Sequence, residues 1–232
     1  NKIFHGAKLP TKVWMVYTSE EDATWGQITF SALLSPLPTP NPLSPRANNK
    51  GEAVVALFTS PGNAKDDYVK TGSTDAHEYM HSLQFLQFIG SSVTPYSLPR
   101  WMFEGGGQFI QDFQMYGIDY DNYLSHRLSQ HLNSYDLTFY KEFLFYKSPM
   151  PVGADGDPWV YTAKWPNQRV YDVGSLVYEV LIAIKDPASV LNLMQDVAKT
   201  GDMNLSFKTI YGISWDEAQP IICEAIYKLL KA

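Results

Sequence analysis

Residues 73–90 read STDAHEYMHSLQFLQFIG, and the fold turns on how this stretch is understood. A Ser-Thr-Asp cluster able to cap a helix precedes a body expected over 76–89, and Gly90 is a natural stop. Met80, Leu83, Phe85, Leu86, Phe88 and Ile89 fall on most sides of that helix, a composition suited to the middle of a protein rather than to its surface. The polar residues on such a helix need a reason. His77 and His81 stand four apart, about 40° around the axis, so both imidazoles can reach one ion, and Glu78 is close enough to touch a water on that ion. The competing reading is two histidines satisfied in a polar core, with Glu78 as a capping or salt-bridge partner.

A hydrolytic zinc takes three protein ligands and keeps one position open, so a further ligand is sought outward from this helix. The metzincin continuation would need glycine and histidine where the chain has Gln84 and Gln87, which excludes that arrangement. RWMFEGGGQFIQ, residues 100–111, offers Glu104 among Trp101, Met102, Phe103 and Phe109. A lone carboxylate in such company is costly, whereas coordination to a dication removes the penalty. Each of the three following glycines weakens a helix by about 1 kcal/mol relative to alanine. They point to a backbone that approaches the active-site helix closely, or else to a flexible loop.

HEYMH followed by WMFEGGGQF resembles the gluzincin metallopeptidases, and is similar to the aminopeptidase N branch and its bacterial relatives of the peptidase MA type. The resemblance spans about residues 70–220, specific at the metal motif and diffuse elsewhere. It implies a thermolysin-like catalytic domain with Zn2+ on His77, His81 and Glu104, Glu78 as general base, and a peptide or protein substrate. The family's Tyr-Glu-Lys-Gly motif has a partial counterpart in Tyr171-Asp172-Val173-Gly174, 90 residues after His81. This implies that Tyr171 stabilises the oxyanion. Two departures matter. The aminopeptidase signature that reads a free amino terminus is absent, and the thermolysin branch's aspartate four residues after the third ligand is replaced by Gln108. The carbonyl of Gln108 can accept the imidazole proton instead, Asp112 one turn on is the alternative, and both also have a purely structural reading.

Around these motifs the first third reads as strand and loop, with strands over 13–17 and 53–59 and a surface loop over 35–51 whose five prolines break ladders and helices. Later helices are expected over 99–116 and 119–132, from an Asp172 cap to Lys185, from Asp186-Pro187 to Thr200 with Gly201 as terminator, and from a Ser214–Glu217 capping box to Lys231. Residues 133–170 read as irregular, with aromatics that either line a cleft or pack between helices. A sheet-bearing front and a helical rear make an α+β architecture in one domain over 1–232, with a strand-rich lobe and the HExxH helix over 1–92 and a helical lobe over 93–232.

The remaining composition narrows function. A net charge of -6 with 18% charged residues leaves no basic stripe for nucleic acid. No apolar run reaches the ~20 residues of a membrane span. A chain that begins at Asn1 rather than Met is expected to be processed or a piece of a longer protein, whose remainder could carry an export signal or membrane anchor, and a location outside the cell or in the cell envelope is the separate expectation. Cys223 reads as a buried, inert thiol. His5, His126 and His131 lack metal spacing and read as surface or capping residues, and Asp155-Gly156-Asp157 reads as a turn. Two other readings stand beside the peptidase: a silent metallopeptidase-like binding module at a cell surface, and a zinc hydrolase of non-peptide substrates.

Overall fold

The computed structural model describes residues 6–35, 45–58, 67–117, 119–144 and 168–231. His5, the prolines at 36–42, the Asp155-Gly156-Asp157 turn and the aromatics between 145 and 167 lie outside the described residues.

Strand β1 (Val13–Thr18) runs parallel to β3 (Ala53–Phe58), with Val13 opposite Ala53 and Thr18 opposite Phe58. Parallel neighbours need a crossover, and helix α1 (Ala23–Leu34) supplies it. Its Phe30 and Leu34 pack on Val16, Val54 and Ala56 to make a small core. The reading of this third as strand and loop is therefore corrected. The helix is hard to see in sequence because Trp25 and Ile28 are exposed while its buried face includes Gly26, pressed against Thr18. β2 (Arg46–Ala47), from the proline-rich segment, pairs antiparallel on the other edge of β3. Two residues are too few to show strand alternation.

After α2 (Asp67–Lys70) comes α3 (Ser73–Gln87), the helix that carries HExxH. Gly72, at φ 71, precedes it and no side chain caps it. The expected Ser-Thr-Asp cap is thus corrected: Ser73 is buried in the first turn, and Asp75 accepts a hydrogen bond from the Tyr17 hydroxyl at 2.9 Å, tying α3 to β1. Gly90, at φ 82, follows the helix end as expected. One side of α3 packs on β3 and β2 and another on α4 (Arg100–Tyr116), which in turn lies along α7 (Gln168–Ile184).

Between them run α5 (Tyr120–Ser129), capped by Asp119, and α6 (Leu137–Leu144). α6 corrects the irregular reading of 133–170: it buries Phe139, Tyr140, Phe143 and Leu144, and its short length and dense aromatics obscured its period. α7 begins before Asp172, so that residue is a buried helical acid accepting from Gln168 and Arg169 rather than a cap. Helix α8 (Ser189–Thr200) ends at Gly201, φ 68, as expected. Helix α9 (Met203–Tyr211) follows, started by the Asp202 carboxylate on the Leu205 amide. α10 (Trp215–Lys231) has the expected capping box, Ser214 N to Glu217 Oε2 at 2.8 Å and Glu217 N to Ser214 Oγ at 3.3 Å. The whole is an α+β chain, mostly helical beside a three-stranded sheet. No helix among the described residues is long and apolar enough to cross a membrane.

Candidate metal centre

The three glycines after Glu104 decide how the site is assembled. At Gly105 a Cβ would lie 2.3 Å from the backbone of Gly174, at Gly106 it would lie 2.6 Å from Gln84 Nε2 and the Tyr178 hydroxyl, and at Gly107 it would lie 2.6 Å from His77 Nε2. Side chains at these positions would push α4 off α7 and α3 together. The expected close approach is therefore present, to two helices rather than one.

That approach carries Glu104 to the histidines. Its Oε2 lies 3.3 Å from His81 Nε2 and 3.8 Å from His77 Nε2, and the three candidate ligand atoms all fall within 4.8 Å of one another. Bonds of about 2.0–2.1 Å at tetrahedral angles set ligand atoms about 3.3 Å apart. The His81–Glu104 spacing already suits a bound dication, whereas His77 must move in, because the three atoms spread over as much as 4.8 Å. All three residues are at most partly exposed, with the Glu104 side chain at 14%. Two imidazoles and a carboxylate form a donor set for a divalent cation of the first transition row.

Without a cation the ligands titrate against each other. Burial alone would lower His81, but hydrogen bonds and charge from Glu104, with the charge of Glu78, raise it above the usual imidazole value. Burial would raise Glu104, yet its hydrogen bonds and charge interactions with His77 and His81 hold it far below the ordinary carboxylate range. Glu78, next to His77 in sequence, is half-buried and has no hydrogen-bond or ion-pair partner among the described residues. Its carboxylate is available to take a proton.

Tyr171 lies in the first turn of α7, its ring centroid 6.1 Å from that of His77. Burial first, then the charge of Glu104, push the phenol up to about 12, although Arg100 pulls the other way. It therefore stays protonated, and a donor, through neutral pH. Arg100 sits 3.8 Å from Glu104 Oε1.

Gln108 and Asp112 do not serve the ligands as anticipated. Gln108 Nε2 donates to Asp112 Oδ1 at 2.7 Å, while His77 Nδ1 is buried with no hydrogen-bond partner. Asp112 instead faces His126 at 3.2 Å and Arg127 at 4.0 Å, and Arg127 continues to Glu179 at 2.9 Å. His126 is accordingly neither surface nor cap. His131 is exposed at φ 55, just before a short 3-10 turn, in keeping with the surface reading. Cys223 is buried, its thiol pushed up to about 12 by desolvation, as expected of an inert cysteine.

The partner that sequence reasoning missed is Gln84, one turn beyond His81 on the same helix. Its Oε1 lies 2.9 Å from His81 Nδ1. The signal was present in the i, i+3 spacing, but position 84 was read only as a missing metzincin glycine. No protein-family model, curated protein or solved structure matches this chain.

Proposed function

We propose that the chain is a zinc-dependent peptidase of the gluzincin type with a thermolysin-like catalytic domain. The observation that carries this reading is the convergence of His77, His81 and Glu104 from two helices, with the carboxylate of Glu78 close enough for its charge to act on His81. Zinc in such a ligand set supplies a water acidified toward a pKa of about 7 and polarises a carbonyl. Glu78 takes the proton from the attacking water and returns it to the departing amine. Tyr171, protonated at working pH, donates a hydrogen bond to the oxygen on which charge develops. The substrate is a peptide or protein.

Elemental analysis of the purified protein and of Glu104→Ala tests the centre: one zinc per chain is expected, lost in the variant. Digestion of a peptide library with and without chelator then tests turnover. Zinc bound without any chelator-sensitive cleavage would transfer the assignment to a binding module built on the same ligands. Cleavage that ignores both chelator and Glu104 would end the proposal.

A further inference from the structure

We infer that Gln84 is a positioning residue that fixes the proton of His81 and thereby decides which nitrogen of that ring is offered to the metal. The inference rests on the zinc reading, because a cation on Nε2 is what leaves the His81 ring a single proton.

A glutamine amide has one end that only donates and one that only accepts, and packing distinguishes them here. Gln84 Nε2 lies 2.9 Å from the carbonyl of Phe103, 3.4 Å from that of Met102 and 3.1 Å from the Tyr178 hydroxyl. Backbone carbonyls only accept, so the NH2 group must face them; reversing the amide would set oxygen against oxygen. Oε1 is then the atom 2.9 Å from His81 Nδ1. An acceptor facing a ring nitrogen requires that nitrogen to carry hydrogen. A cation taken by Nε2, the atom 3.3 Å from Glu104, leaves the ring a single proton, and that proton sits on Nδ1 facing Gln84.

The rest of the surroundings allow no slack. Gln84 is fully buried, Phe103 stacks on the His81 ring with centroids 4.5 Å apart and planes 7° from parallel, and Gly106 leaves the space that the amide and Tyr178 occupy. The carbonyl that orients the amide belongs to the residue before Glu104. One side chain on α3 thus sets the second ligand while gripping the backbone that delivers the third, and Tyr178 extends the chain of contacts to α7. His77, whose Nδ1 has no partner, receives no such instruction. Outer groups of this kind are worth roughly 10–100-fold in metal affinity.

The test is nitrogen-15 NMR of histidine-labelled, zinc-loaded protein, with zinc affinity measured by chelator competition. His81 is expected as Nδ1–H in the wild type. In Gln84→Met, which keeps the length but removes both polar ends, that tautomer preference should be lost and zinc should bind roughly 10–100-fold more weakly. Circular dichroism checks that the variant remains folded. Nε2–H at His81 in the wild type, unaltered zinc affinity in the folded variant, or an unaltered tautomer there, would each overturn the inference. The wild-type measurement stands even if the variant does not fold. A wild type that binds no zinc overturns both readings, whereas zinc bound together with any of those results overturns the role of Gln84 alone.

Discussion

Helix α4 carries two buried carboxylates two turns apart, and each meets a histidine at nearly the same distance: Glu104 to His81 at 3.3 Å, Asp112 to His126 at 3.2 Å. The surroundings differ in kind. Around Asp112 donors and acceptors alternate, with Gln108 donating to it, Arg127 beside it, and Glu179 and the Tyr123 hydroxyl completing the run. Around Glu104 three lone-pair carriers face one centre, and only a proton or a metal cation at that centre reconciles them. A histidine–carboxylate contact is therefore not by itself the mark of a metal site. The mark is a third ligand atom pointed at the same place.

The sharpest break between the two ends should appear in activity. Glu78→Gln is expected to lower peptidase turnover by about 10²–10⁴-fold while zinc content stays at one per chain, since a general base contributes on that scale and is not a ligand. Full activity in that variant removes Glu78 from the chemistry. The Asp112 end should answer in stability instead. Arg127→Leu removes the charge beside buried Asp112 and the ion-pair partner of half-exposed Glu179, while Gln108 and His126 stay on Asp112, so the effect is about 3 kcal/mol, the low end for a broken buried pair. At about 2–4 °C per kcal/mol for a chain of this size, a thermal midpoint lower by roughly 10 °C is expected, with zinc affinity unchanged. Loss of zinc in that variant would mean that the two clusters are not separate.

The smallest effect is a pH dependence confined to the Glu104 end of the metal-free protein. Glu104 is depressed in the fold, so its contribution is present above its unfolded value of about 4.3 and fades as pH falls through the folded value. His81 is raised, so its contribution is complete below about 6.5 and is lost as pH climbs through the folded value. The pair should therefore stabilise the apo protein most between these two limits. Stabilisation by zinc should grow with pH above that window, because the metal displaces the same proton. Thermal midpoints with and without zinc, followed across pH, check this, and parallel curves would contradict it.

Much of this was legible in sequence where a signal is local. The HExxH helix follows from its spacing, the Ser214–Glu217 box from two residues three apart, and the close approach at Gly105 to Gly107 from the cost of glycine in a helix. What escaped depended on partners distant in the chain. Helix α1 is demanded by the parallel pairing of β1 and β3, which no local pattern announces. Asp172 looked like a cap because aspartate at a helix start ordinarily is one, yet here Gln168 and Arg169 extend the helix backward and hold its carboxylate. Gln84 had the right spacing, but its role depends on the Phe103 and Met102 carbonyls, which only packing brings near.

The Gly105–Gly174 contact has one more consequence. Glu104 precedes one of these glycines and Tyr171 stands one turn before the other, so two bare stretches of main chain act as the spacer between carboxylate and phenol. A gauge made of backbone does not wear as apolar neighbours drift in size. Sequence change can alter the apolar side chains around the two glycines while the interval between these two groups stays the same.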